Sequence, residues 1–187
     1  MPIPYHDEDE LNDLGIAAYL KIQPAKEESG YLAALFLINA RGEPIEFTYN
    51  QIETPHTFLW RQDDIRRQAT KKLVASLLAL CPKIPRLMFC LAEEIGSELF
   101  CQDIQLSIPV CRIAPAIKAI PYAASEIQDT IEAEGPMNLF WHPGRPADDA
   151  IELKLLHELA GHGLLTEPFE RALVGRREVY PEKGERG

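Results

Sequence analysis

Tyr31–Ile38 (YLAALFLI) is an unbroken apolar run, and it restricts the fold more than any other stretch of the chain. It is far too short to cross a bilayer, and its length suits a strand buried on both faces. Asn39-Ala40-Arg41-Gly42 follows with turn chemistry, because Asn and Gly tolerate the backbone conformations that tight connections need. Ile45, Phe47 and Tyr49 then alternate with Glu46, Thr48 and Asn50, the period of a half-exposed strand. The alternation predicts Phe47 and Tyr49 on the core side, with Glu46 and Thr48 toward solvent.

A long amphipathic helix follows at about 63–80. Ile65, Ala69, Leu73 and Leu77 recur every four residues, Asp63 and Asp64 suit the positive end of the helix dipole, and Pro82 ends the pattern. Upstream, Leu14–Ile22 reads as a first strand with Ile16, Ala18, Leu20 and Ile22 on one side, and Gln23–Gly30 as a polar turn. Downstream, Arg86–Ala92 reads as another buried strand. Ile104–Ile113 alternates and carries Pro109, which predicts an edge strand. From Pro115–Pro121 onward the pattern reads as helical, at Ala124–Glu134, Ala147–Ala160 and Glu167–Tyr180, with Thr166 as an N-cap and a Pro/Gly segment over Gly135–Pro146. The expected fold class is therefore α/β or α+β: a mixed sheet with a long amphipathic helix, followed by a helical C-terminal segment. The expected division is an acidic tail over 1–13, a mixed core over 14–114 and the helical segment over 115–187.

With 187 residues, 46% of them apolar, the chain can bury a real core. Its net charge of −10 repels nucleic acid at long range without excluding a local basic face. The acidic N-terminus, with Asp7–Glu10 as a solvated block, lacks the basic start of a secretory signal. Cys81, Cys90, Cys101 and Cys111 form no C-x-x-C pair, which fits reduced thiols in the cytoplasm. No apolar run is long enough for a membrane span.

Chemistry-bearing motifs are sparse. There is no G-x-S-x-G elbow, P-loop or G-x-G-x-x-G fingerprint, so no catalytic residue and no cofactor is assigned. His157 and His162 are five residues apart, which turns them about 140° from one another on a helix, so no shared metal is expected. Three strands, a helix and another strand is similar in element order to a ribonuclease-H-like core, and also to longin-type and actin-like folds. Nucleases of the first kind hold metal ions with carboxylates near strand ends. Here Leu14–Ile22 and Tyr31–Ile38 contain no acidic residue, which leaves Glu43, Glu46, Glu93 or Glu94, with His142 or His157, as conceivable ligands.

The one concentrated basic surface is Arg61, Arg66, Arg67, Lys71 and Lys72, preceded by the Thr54–Trp60 loop with His56, Phe58 and Trp60. Trp141, His142 and Arg145 form a second aromatic and basic group in a turn-rich stretch between helices. The nine residues Trp60, Arg61, Arg66, Arg67, Lys71, Lys72, Trp141, His142 and Arg145 are the candidate binding set. From these features the chain reads as a non-catalytic subunit or adaptor of a cytoplasmic multi-protein complex, with a protein partner and nucleic acid reached through the basic helix face. The alternative is a metal-dependent hydrolase or nuclease with the ribonuclease-H-like element order.

Overall fold

The computed structural model describes residues 13–25, 29–54 and 59–179. The Asp7–Glu10 block, His56 and Phe58, Tyr180 and the residues after it lie outside the described residues. Among the described residues seven strands form one mixed sheet, in the order β3-β2-β1-β4-β5-β7-β6. Strands β1 (Ile16–Pro24), β2 (Gly30–Asn39) and β3 (Pro44–Glu53) make an antiparallel meander. Helix α1 (Gln62–Leu80) carries the chain back to β4 (Leu87–Leu91), which lies parallel to β1. A single wide turn of π-helix (Leu99–Asp103) precedes β5 (Val110–Pro115), parallel to β4. Strands β6 (Ile127–Glu132) and β7 (Pro136–His142) form a hairpin whose β7 pairs antiparallel with β5. Helices α2 (Ile151–Gly161) and α3 (Glu167–Val179) close the chain.

Helices cover both faces of the sheet, and this explains why β1 and β2 are apolar along most of their length. Ala18, Leu20, Ile22, Ala33 and Leu35 pack with Leu73, Val74 and Leu77 of α1 on one face. Ala17, Tyr19, Phe36, Phe89 and Trp141 pack with Leu155, Leu156 and Leu159 of α2 and Phe169 of α3 on the other. Full burial of a Leu such as Leu73 or Leu77 contributes roughly 1.5–3 kcal/mol. Tyr19 donates its phenol O–H to the Leu164 carbonyl at 2.6 Å, which ties β1 to the α2–α3 connection. Burial pushes that phenol well above its ordinary pKa.

The turn over 39–42 forms as its chemistry suggests. The Asn39 side-chain oxygen accepts from the backbone N–H groups of Arg41 and Glu43, and Gly42 takes φ +80°. β3 is the sheet edge, and Phe47 stands edge-on to Phe36 with α3 close above it. A Cβ at Gly175 would lie 2.9 Å from Phe47, so a glycine permits that approach. Tyr49 shares this face but reaches its rim and is 39% exposed. The opposite face of β3 is not open to solvent as expected. Asn50 donates to Ser76 Oγ of α1 at 2.9 Å, and Glu46 and Thr48 are half-buried.

The mixed sheet, the long helix and the helical end of the chain are as the sequence suggests. Three local expectations are corrected. Residues 124–134 are not helical: Ile127–Glu132 is an edge strand, and Gly135 at φ +116° turns it into β7. Its Gln, Asp and Glu residues imitate a solvated helix face because an exposed edge strand has the same polarity. Ile104–Ile113 is not an edge strand either, since β5 lies between β4 and β7. Pro109 sits just before it, and its carbonyl accepts from Met88 N–H, so the missing N–H costs the ladder nothing. Thr166 turns its hydroxyl to Glu134 rather than to the backbone of α3. Among the described residues no helix is long and apolar enough to cross a membrane.

Candidate functional site

Because β1, β4 and β5 are parallel, their C-terminal ends share one edge of the sheet, the edge where open α/β sheets place their sites. There β4 runs out into Ala92-Glu93-Glu94-Ile95-Gly96-Ser97-Glu98 beneath the first turns of α1. The two elements enclose a cleft of about 270 Å³ lined by Arg66, Arg67, Glu93, Glu94, Glu98 and Asp103, with Arg112 at its base. A wider depression of about 570 Å³ shares Arg66, Glu93 and Glu94 with it and extends over the end of β1 to Tyr31 and Arg176.

A buried ion pair holds the base of the cleft. Arg112 donates to both Glu126 carboxylate oxygens, at 2.7 and 2.9 Å, and each side chain is 2% exposed. The same guanidinium donates to the carbonyls of Ile95 and Pro121 at 3.0 and 3.1 Å and lies over the Phe140 ring. Glu126 also accepts from Ala123 N–H at 2.9 Å. Burial pulls the Arg112 pKa down, but the bond to Glu126 and its charge more than reverse this. One side chain thus fixes two loops at the cleft.

Above it, Lys21 of β1 makes an ion pair with Glu94, which also accepts from Ile22 N–H. Arg66 donates to the Glu94 carbonyl at 2.7 Å. Arg67 grips both oxygens of Asp103 at 2.9 and 2.8 Å and reaches Gln102 at 3.1 Å. That hydrogen bond holds the Asp103 carboxyl below its ordinary range. A depressed carboxylate stabilises the fold above its unfolded pKa of about 3.9 and loses that contribution as pH falls through the lower folded value. We therefore expect Asp103→Asn to flatten the fall of stability below about pH 4. Urea midpoints against pH test this, and identical acid limbs for the two proteins would refute it.

The structure divides the nine candidate binding residues. Arg66 and Arg67 line the cleft, and Lys71 stands near enough for its charge to act on Asp103. Trp60 and Lys72 line a separate shallow groove with Ile52, Ile65 and Ala69. Arg61 precedes α1 and is exposed. The other three lie elsewhere, and the expected loop between helices is the end of a strand. Trp141 is wholly buried on β7, so it offers no binding surface. His142 pairs across from Val110 at the start of β5, the edge opposite the cleft, with Nδ1 3.3 Å from Cys101 Sγ. Arg145 is held by Asp129 and Asp148 at 2.6 and 2.8 Å.

The conceivable metal ligands separate in the same way. Glu93 and Glu94 line the cleft, Glu43 is bound to Asn39 at the opposite edge, and Glu46 lies within β3. His157 is exposed on α2, and His162, beyond its end, faces Glu158 at 2.9 Å. A metal centre for phosphodiester chemistry needs several free carboxylates converging on one point. Here Lys21 holds Glu94 and Arg67 holds Asp103. Among the described residues no three His, Cys, Asp or Glu side chains are placed to hold an ion. The described residues do not fit a metal centre. The cysteines do not replace it: Cys90 and Cys111 are buried, and burial pushes the Cys90 thiol up to about 12.

Sequence reasoning missed Lys21, Glu98, Asp103, Arg112 and Glu126. For two of them a signal exists, since Lys21 and Arg112 are lone charges inside otherwise apolar strands, and a buried charge must be paired.

No family model matches the sequence, and no curated protein matches it significantly. Solved structures share its architecture. Endonuclease V from Streptomyces avermitilis superposes with a TM-score of 0.58 at 15% identity, over 96% of this chain and 94% of its own. Endonuclease V from Bacillus subtilis gives 0.57 at 10% identity, over 90% and 82%. Endonuclease V from Ciona intestinalis, in complex with a 23mer DNA containing an inosine followed by a ribo-adenosine, gives 0.55 at 10% identity, over 95% and 98%. At such identities the likeness shows a shared fold. It also overturns the reading of the chain as a non-catalytic complex subunit or adaptor working through protein–protein interaction, because the fold shared over nearly the whole chain is that of the endonuclease V structures.

Proposed function

We propose that this chain acts on nucleic acid, as a protein of nuclease architecture, and that the cleft at the C-terminal edge of β1, β4 and β5 receives the phosphodiester backbone. The observation that carries this reading is Arg66. It lines both depressions, yet its guanidinium donates to a neutral carbonyl and meets no carboxylate among the described residues. A cation left unmatched in a cleft is available to a phosphate. Arg67 and Lys71 continue the positive face along α1, although Asp103 offsets part of their charge. The three endonuclease V structures, one of them holding DNA, support the class of ligand.

Fluorescence anisotropy with labelled single-stranded and duplex oligonucleotides tests the reading. Binding at low salt that weakens as salt rises is expected, because phosphate contacts release counterions. No binding to any oligonucleotide at low salt would refute it. The same mixtures with Mg²⁺ or Mn²⁺ report on strand cleavage, and metal-dependent cleavage abolished by Glu94→Gln would overturn the conclusion that these carboxylates do not serve a metal.

A further inference from the structure

The groove on the other flank of α1 has a different chemistry from the cleft. Trp60 is 57% exposed and stands over Ile52, Ile65 and Ala69, in a depression of about 270 Å³. Glu53 and Lys72 line it as well, so their charges offset each other there, while Asp63 and Asp64 occupy the adjacent first turn of α1. A polyanion backbone has no reason to enter such a groove, but a neutral aromatic ring does. Trp60 precedes α1 by two residues, and Arg66 and Arg67 lie about 6 and 7.5 Å along the helix from its start, a separation on the order of a few stacked nucleotides at about 3.4 Å each.

Resting on the nucleic-acid reading above, we propose that Trp60 is a stacking platform for an unpaired nucleobase of a single strand whose phosphates are held by Arg66 and Arg67. Base and phosphate then go to separate surfaces: the flat apolar ring meets the base, and the unmatched cation meets the backbone. Stacking of this kind accepts any base and excludes a paired one, because a duplex keeps its base faces covered. The platform therefore selects single strands, of DNA or RNA, over duplexes of the same sequence.

The chain makes the test clean, since its two tryptophans are Trp60 and Trp141, and Trp141 is wholly buried. Acrylamide quenching of the native protein therefore reads Trp60. Single-stranded DNA and RNA oligonucleotides are titrated while anisotropy of a label follows binding and tryptophan emission follows stacking. Saturation is expected to quench Trp60 and shield it from acrylamide, whereas duplex should leave its emission unchanged. Trp60→Ala should weaken single-strand binding about 5- to 100-fold, and Trp60→Phe should retain most of it. Retention by DNA alone or RNA alone would fix the sugar and still support stacking. Binding seen by anisotropy, with Trp60 emission and accessibility unchanged and Trp60→Ala binding like wild type, would overturn the platform while leaving the cleft intact. Absence of all binding would overturn both.

Discussion

Glu126→Ala is expected to lower the unfolding free energy by about 3–5 kcal/mol. The cost does not measure the attraction within the pair. It arises because the Arg112 guanidinium, 2% exposed, would remain buried without its carboxylate. Removing both charges should cost far less, since a buried ion pair replaced by apolar groups of similar volume is often neutral or better. Arg112→Met with Glu126→Leu should therefore recover most of the stability in urea titrations. It should not restore the cleft, because the bonds from Arg112 to the Ile95 and Pro121 carbonyls are also gone. A loss below 1 kcal/mol for Glu126→Ala would show that water reaches the pair and that it does not organise the edge.

The elements that announce themselves in the sequence are those with one dominant environment. Tyr31–Ile38 is apolar throughout because both of its faces are covered, and Ile65, Leu73 and Leu77 recur because one side of α1 meets the sheet. The hairpin at 127–142 misleads because β6 is an edge strand with no fully buried residue, where the half-buried Asp129 and Ile131 alternate but only one of them is apolar, too little to separate strand from helix. Pro109 misleads for another reason: proline excludes a position from a ladder, but a position one residue before the ladder costs nothing.

The candidate site is less legible than the fold. Arg66 and Arg67 are visible as a basic stretch, but their neighbours Glu93, Glu94, Glu98 and Asp103 are brought to them by the parallel crossover, across about 26 to 37 positions that no local pattern spans. Trp141 and His142 look like a binding loop because tryptophan and histidine beside Pro-Gly suit one. The sheet instead places Trp141 in the core and His142 at the far edge. Lys21 and Arg112 could have been read as paired charges from their apolar flanks. Their partners, Glu94 and Glu126, could not have been named without the register of β1, β4 and β5.

Arg66→Gln should weaken nucleic-acid binding more than Arg67→Gln, although the two are adjacent and carry the same charge. Arg67 has both Asp103 oxygens on it, so a phosphate must compete with a carboxylate already in place. Arg66 donates only to a carbonyl, and its charge is fully available. Each phosphate contact on a single strand contributes about 0.7 to the slope of log K against log salt. Loss of the Arg66 contact should then lower affinity about 5-fold at roughly 0.1 M salt and flatten the slope by about 0.7. The double variant sets an upper limit near 25-fold if Arg67 contributes in full, and a smaller value measures how strongly Asp103 claims it. Asp103→Asn supplies the converse: releasing Arg67 should tighten binding, with a steeper salt dependence than wild type. Anisotropy titrations at several salt concentrations read the four variants against the wild type. Equal losses for the two arginines would mean that Asp103 does not compete for Arg67, and no loss for either would mean that the phosphates pass outside this cleft.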